Sequence, residues 1–228
     1  MYNLDYLKQS HERAQSQLRE YSMHETVQIY IKDDLPESID IGSVLDRVST
    51  SIPPHLTREI DSIYIGMFAE FEEMETNALY KDGAIYITNE QDDEQDLIDD
   101  VVHEIAHSLE SPYGYELYAD GSLESEFLAK RQKLYEILKS EDLKPNKALF
   151  DNPDYTKELD LYLYKKVGYD RLNFIVASYG LFTSAYAATA LREYFASGFE
   201  YYFLDDRIHL CKICPTLCEK IKDIHEND

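Results

Sequence analysis

Two histidines and one glutamate stand close together in the middle of the chain, in the run His103-Glu104-Ile105-Ala106-His107. On a helix, residues four apart lie on one face, one turn apart. Both imidazoles can therefore reach a single zinc ion at about 2.0–2.1 Å. Glu104 lies one position along, where its carboxylate can take a proton from an attacking water and pass it to a leaving amine. The spacing predicts two metal ligands and a general base.

A catalytic zinc ion usually has three protein ligands, so a third ligand must come from elsewhere in the chain. The pattern H-E-x-x-H-x-x-G-x-x-H is not present, because Glu110 stands at the glycine position and Tyr113 at the last histidine position. The third ligand is therefore expected to be a carboxylate. The residues alone leave several candidates open: Glu116, Asp120, Glu124, Glu126 and Glu193.

Two segments carry a resemblance to a known family. The first is HEIAHSLE at 103–110, and the second begins at Tyr186 and continues, seven residues later, as Glu193-Tyr-Phe-Ala-x-x-Phe. They resemble the catalytic domain of anthrax lethal factor and its relatives, including the Pro-Pro endopeptidases, over roughly residues 60–204. The resemblance implies a zincin-like metalloprotease fold, a zinc cofactor and a protein or peptide substrate. It also implies that Glu193 is the third zinc ligand and that Tyr186 stabilises the tetrahedral intermediate.

Seven residues is close to two helical turns, so Tyr186 and Glu193 are predicted to share one face of a single helix. From there the tyrosine hydroxyl can point at a developing oxyanion. Without the resemblance, Tyr186 would be interpreted as a core tyrosine. The chain departs from the family's pattern at Ser197-Gly198, where relatives usually carry a further glutamate that supports the metal ligands. Relatives often carry an acidic residue three positions after the second histidine, so the resemblance also makes Glu110 a candidate for such support.

Two classes of function follow from these residues. The first hypothesis is a zinc-dependent endopeptidase. The alternative is a zincin-fold binding or structural protein with weak or no catalysis, for example in a phage assembly, and it is motivated by Ser197-Gly198 and by the 20 tyrosines of the chain. Zinc-dependent hydrolysis of a substrate other than a peptide ranks below both.

The predicted helix at 91–109 must position the two histidines, because its apolar residues recur at helical spacing. Its acidic first turns are explained by helix capping and the helix dipole rather than by a calcium site. Before this helix, Asp82-Gly83 predicts a tight turn between strands at 77–80 and 84–88. The second of these strands is expected to be the sheet edge that pairs with an extended substrate.

The remaining elements complete an α+β prediction, because the strands come first and the helices follow. Further strands are predicted at 27–31 and 62–68, and helices at 4–20, 39–48, 119–139, 155–167, 169–180 and 186–204, the last being the final long helix. We expect one domain over 1–228, with an N-terminal helix and the strands of a small mixed sheet at 1–90. The active-site helix and a mostly helical C-terminal half occupy 91–228.

Charge and composition limit the partners. A net charge of −23 makes nucleic acid and anionic membranes poor partners, because both repel an acidic surface. The sequence has no apolar run of about 18 residues and no secretory signal at its start. It therefore predicts a cytoplasmic protein, with a virion-associated location or secretion by another route left open.

Three cysteines lie close together near the end of the chain. With His209, the residues Cys211, Cys214 and Cys218 form the pattern H-x-C-x2-C-x3-C, which has the donor types of a soft-metal site. Such a site normally draws ligands from a second, separate knuckle, and the sequence has none. Reduced structural thiols are therefore the favoured interpretation.

Overall fold

The structure, a computed structural model, describes residues 19–69, 71 and 76–226. They form an α+β protein with a small mixed sheet, as predicted. The helix predicted at 4–20 lies outside the described residues except for its last two positions, which belong to a strand instead. The chain divides into two compact units, Met1–Ser108 and Leu109–Asp228.

The first unit is built around a five-stranded sheet in the order β1-β2-β3-β5-β4. Strands β2, β3 and β5 run parallel, whereas β1 and β4 are each antiparallel to their neighbour. The second strand has the predicted bounds, and the third ends before Gly66 rather than at residue 68. The strands are β1 (Arg19–Met23), β2 (Val27–Ile31), β3 (Ser62–Ile65), β4 (Ala78–Lys81) and β5 (Ala84–Ile87).

The two faces of the sheet differ because side chains alternate along each strand. One face is made of buried isoleucines, with Ile29, Ile63 and Ile85 in one cross-strand row. The other face carries a row of tyrosines, Tyr30, Tyr64 and Tyr86, whose neighbouring rings stack at centroid distances of 5.1 and 5.3 Å. The isoleucine face therefore supplies the core of this unit.

The hairpin at β4 and β5 has the predicted turn. Asp82 and Gly83 have φ angles of 49° and 81°, which a two-residue turn of this type requires. The expectation that residues 84–88 form the free edge is wrong, because β5 pairs with β3 on one side and with β4 on the other. On this side of the sheet the edge strand is β4.

The first unit also contains helix α1 (Ile41–Ser51) and nearly all of helix α2 (Glu94–Leu109). Helix α1 begins two residues later than predicted, because Asp40 is its N-cap and accepts a hydrogen bond from the Gly42 amide at 3.0 Å. Helix α2 is the helix predicted at 91–109, shortened at its start.

The second unit is helical. Gly121, with a φ of 68°, separates the first two of its helices, so the predicted helix at 119–139 begins only at Ser122. No helix in the described part of the chain is long and apolar enough to cross a membrane. A π-helix, Tyr162–Val167, directly follows α6 and completes the helix predicted at 155–167. The α-helices are α3 (Gly114–Tyr118), α4 (Ser122–Ser140), α5 (Lys147–Phe150), α6 (Lys157–Leu161), α7 (Tyr169–Ser178), α8 (Leu191–Leu204), α9 (Arg207–Ile213) and α10 (Pro215–Glu226).

The predicted helix at 186–204 is wrong in two respects. Its first residues form a separate 3₁₀ turn, Tyr186–Ala188, because Ala190 is extended, with φ −153° and ψ 161°. Helix α8 starts only after that break. It is also not the final helix, since α9 and α10 follow it.

The cysteines also differ from the prediction. Cys211 in α9 and Cys218 in α10 are joined by a disulfide, and Cys214 between them is a buried free thiol. Reduced thiols were therefore the wrong expectation for two of the three. A soft-metal site is not formed, because two of its sulfurs are bonded to each other. Burial raises the pKa of the Cys214 thiol, which keeps it protonated at neutral pH.

Candidate metal centre

Helix α2 starts with the acidic residues that the sequence assigned to capping. The Asp93 carboxylate accepts hydrogen bonds from the amides of Gln95 and Asp96, at 2.8 and 3.1 Å. Glu94 accepts bonds from the Asp40 amide at 2.9 Å and from the Ser43 hydroxyl at 3.2 Å. The capping interpretation is confirmed for Asp93, and Glu94 ties the start of α2 to the start of α1.

The two histidines lie on α2 beside its buried stripe. Both imidazoles are half-buried, and their ring centroids are 5.0 Å apart. This distance between the rings is typical of side chains one turn apart on the same face of a helix. The apolar side chains that fix the rotation of the helix are all buried: Leu97, Ile98, Val101, Val102, Ile105, Ala106 and Leu109.

Glu104 is buried, with 6% of its surface exposed. One oxygen of its carboxylate, Oε2, accepts a hydrogen bond from the Tyr80 amide of strand β4 at 2.6 Å. A hydrogen bond from a backbone amide to a carboxylate is charge-assisted and therefore short and strong, so it helps to hold the carboxylate in place. Sequence reasoning missed this contact, because a backbone donor leaves no signal in residue type.

Glu193, near the start of α8, joins the two histidines. One ligand atom from each of His103, His107 and Glu193 lies within 4.8 Å of the other two, and all three residues are half-buried. The structure therefore brings together two imidazoles and one carboxylate as a possible metal site.

The donor set and its dimensions fit a single divalent ion. Imidazole nitrogens and carboxylate oxygens bind zinc at about 2.0–2.2 Å, which places the ligands of one ion within roughly 4.4 Å of one another. The upper limit of 4.8 Å on the observed separations is close to this value, so a small inward shift of the side chains would let all three reach one ion. Three protein ligands also leave a fourth position for water or substrate, as catalytic zinc sites do.

The other carboxylates that the sequence left open are not in this group. Glu126 caps helix α10, where its oxygens accept bonds from the amides of Thr216 at 2.9 Å and Leu217 at 3.1 Å. Asp120 pairs with Lys220 at 2.9 Å. Glu116 and Glu124 are exposed side chains on α3 and α4.

Tyr186 does not share a helix with Glu193, so the argument from two helical turns fails. The two residues are nevertheless close enough to interact electrostatically. Burial raises the pKa of Tyr186, and the negative charge of Glu193 raises it further. Its side chain is 39% exposed, so it is accessible while its hydroxyl stays protonated at neutral pH. A protonated hydroxyl can donate a hydrogen bond to an oxyanion.

The Ser197-Gly198 departure has a packing explanation. A Cβ atom on Gly198 would lie 2.3 Å from Cδ2 and 3.0 Å from Cγ of Leu217, a residue of helix α10. Leu217 is fully buried, so it has little freedom to move away. A glutamate cannot occupy position 198 while α8 and α10 pack this closely.

Comparisons with protein-family profiles, with curated proteins and with solved structures gave no match to this chain.

Proposed function

We propose that the chain is a zinc-dependent endopeptidase with a zincin-like fold. The observation that carries the proposal is the grouping of His103, His107 and Glu193 beside the buried carboxylate of Glu104. These residues would hold a zinc ion. Once bound, such an ion supplies Lewis acidity that polarises a carbonyl and lowers the pKa of water.

Three groups of the chain complete the chemistry in this proposal. Glu104 takes the proton of the attacking water and delivers it to the leaving amine. The Tyr80 amide holds the Glu104 carboxylate in place while it does so. Tyr186 donates a hydrogen bond from its hydroxyl to the oxyanion, as the resemblance to the lethal factor family implies.

The substrate would be a protein or peptide in extended form, paired with strand β4. A free antiparallel edge offers backbone donors and acceptors to such a segment, and β4 is an edge of the sheet. The hydrogen bond from the Tyr80 amide of β4 to Glu104 supports this choice, because it brings that edge beside the proposed general base.

The Glu104→Gln substitution tests the proposal. It keeps the shape of the side chain and removes its basicity. We expect the variant to bind zinc as the unaltered chain does, by elemental analysis, and to hydrolyse a mixed peptide library about 10²–10⁴-fold more slowly. Equal activity in the two proteins would refute the assignment of Glu104 as the base.

A second candidate is a binding or structural protein that keeps a metal without catalysis. The observation that favours it is Gly198, whose close contact with Leu217 leaves no room for the acidic residue of the resembled family. Zinc binding with no cleavage of any peptide in the library would support this second function over the first.

A further inference from the structure

An ion pair lies beside the candidate metal ligands. The Arg192 Nε atom donates to both carboxylate oxygens of Glu110, at 3.0 and 2.9 Å. Arg192 directly precedes Glu193 in helix α8, and Glu110 follows the last residue of α2, three positions after His107. Both partners are thus close in sequence to a proposed metal ligand.

The Glu110 carboxylate is held from two sides. Only 13% of its side chain is exposed. The Tyr118 hydroxyl donates a hydrogen bond to Oε2 of Glu110 at 3.3 Å. Burial raises the pKa of Tyr118, and so does the charge of Glu110, so this hydroxyl remains a donor at neutral pH. Glu110 is therefore a fixed negative charge with a defined orientation.

Arg192 has a second carboxylate within range of its charge. Its guanidinium interacts electrostatically with Glu193 as well as with Glu110, and its side chain is 64% exposed. A long, exposed arginine can change partners, because its side chain has many rotamers and water screens its charge. If it turned to Glu193, it would compete with a cation for the same carboxylate.

We propose that Glu110 is a positioning residue that binds Arg192 and thereby keeps the Glu193 carboxylate available to the metal. This inference rests on the proposed function only in taking Glu193 as a metal ligand. It assigns the acidic residue after the second histidine a specific partner, which the sequence did not reveal.

The proposal predicts an asymmetry between the two members of the pair. Glu110→Gln releases Arg192, so zinc affinity should fall about 10–100-fold, the usual loss when a partner of a metal ligand is removed. Arg192→Gln removes the competing cation, so affinity should stay within about threefold of the unaltered chain. The double variant should resemble Arg192→Gln, because no arginine is left to compete. If the pair only stabilised the fold, the two single substitutions would be expected to lower zinc affinity to a similar extent.

Zinc affinity would be measured by competition with a fluorescent chelator, together with the melting temperature of each metal-free variant. Glu141→Gln is the matched control, since it breaks the Arg171–Glu141 pair of the same unit, at 2.6 Å, and should leave the affinity unchanged. Equal losses in both single variants, or no loss in Glu110→Gln, would overturn the inference while the proposed function stands. Absence of zinc binding by the unaltered chain would overturn both.

Discussion

The proposed role of Tyr186 as an oxyanion donor depends on where its hydroxyl lies relative to Glu193. The sequence placed it on the helix of Glu193, and the structure places it on a separate 3₁₀ turn. The charge of Glu193 still raises the pKa of Tyr186, so the two side chains remain within electrostatic range. The proposed role requires a protonated hydroxyl near Glu193. Tyr186 can meet this requirement from its 3₁₀ turn, without sharing a helix face with Glu193.

Replacing Tyr186 by phenylalanine should remove the proposed oxyanion donor while keeping the aromatic ring. We expect kcat to fall about 10²-fold with zinc content unchanged, measured by steady-state hydrolysis and elemental analysis. Tyr179→Phe is a suitable control, because Tyr179 is also exposed, at 53%, and takes no part in the candidate site. Equal rates in both variants would remove Tyr186 from the mechanism.

The two histidines and Glu104 could be predicted from the sequence, because the local geometry of one helix relates all three. The third member of the group, Glu193, could not be chosen from spacing, since it comes from a distant segment. Only the resemblance singled it out among the carboxylates. The Tyr80 amide had no signal of either kind, and the resemblance pointed to Glu110 without indicating Arg192 as its partner.

At the scale of elements, prediction succeeded where the pattern was strong. Strand β2, the β4–β5 hairpin and helix α2 follow from alternation, from Asp-Gly turn chemistry and from helical periodicity. Prediction failed where the local conformation or the strand order depends on tertiary contacts. The break at Ala190 lies in an alanine-rich segment without glycine or proline, and the position of β5 within the sheet depends on its parallel partner β3.

The contact between α8 and α10 should depend on Gly198. We expect Gly198→Ala to lower the free energy of unfolding by about 1–3 kcal/mol, because the added Cβ overlaps the buried Leu217. Urea denaturation would measure the change. Gly114→Ala is the control, since no atom lies within 4 Å of a Cβ built there. If both variants were equally stable, the packing explanation of position 198 would be wrong.

At the scale of the whole molecule, the many tyrosines predict a response to alkaline pH. Among the residues that the structure describes, burial raises the pKa of eight tyrosines above the ordinary value of 10.0: Tyr80, Tyr118, Tyr162, Tyr169, Tyr186, Tyr194, Tyr201 and Tyr202. In the unfolded chain these phenols ionise near pH 10, while in the folded chain they ionise at a higher pH. The folded state then binds more protons than the unfolded state, so stability falls as pH rises above about 10.

The contribution of these tyrosines to the free energy of unfolding should therefore be nearly constant from about pH 7 to about pH 9 and fall above about pH 10. Denaturant titrations across this range would measure it. Tyr194, which is fully buried, and Tyr115, which is 81% exposed, provide a matched pair. Tyr194→Phe should reduce the slope of stability against pH, whereas Tyr115→Phe should not. Equal slopes in the two variants would show that burial of the phenols does not govern the response.

The most direct test of the central claim is the position of the metal. A crystal grown with zinc, with anomalous diffraction recorded at the zinc absorption edge, would locate the ion. We predict one ion at about 2.0–2.2 Å from a nitrogen of His103, a nitrogen of His107 and a carboxylate oxygen of Glu193. An ion bound elsewhere, or one held by the two histidines with Glu193 turned away, would contradict the account.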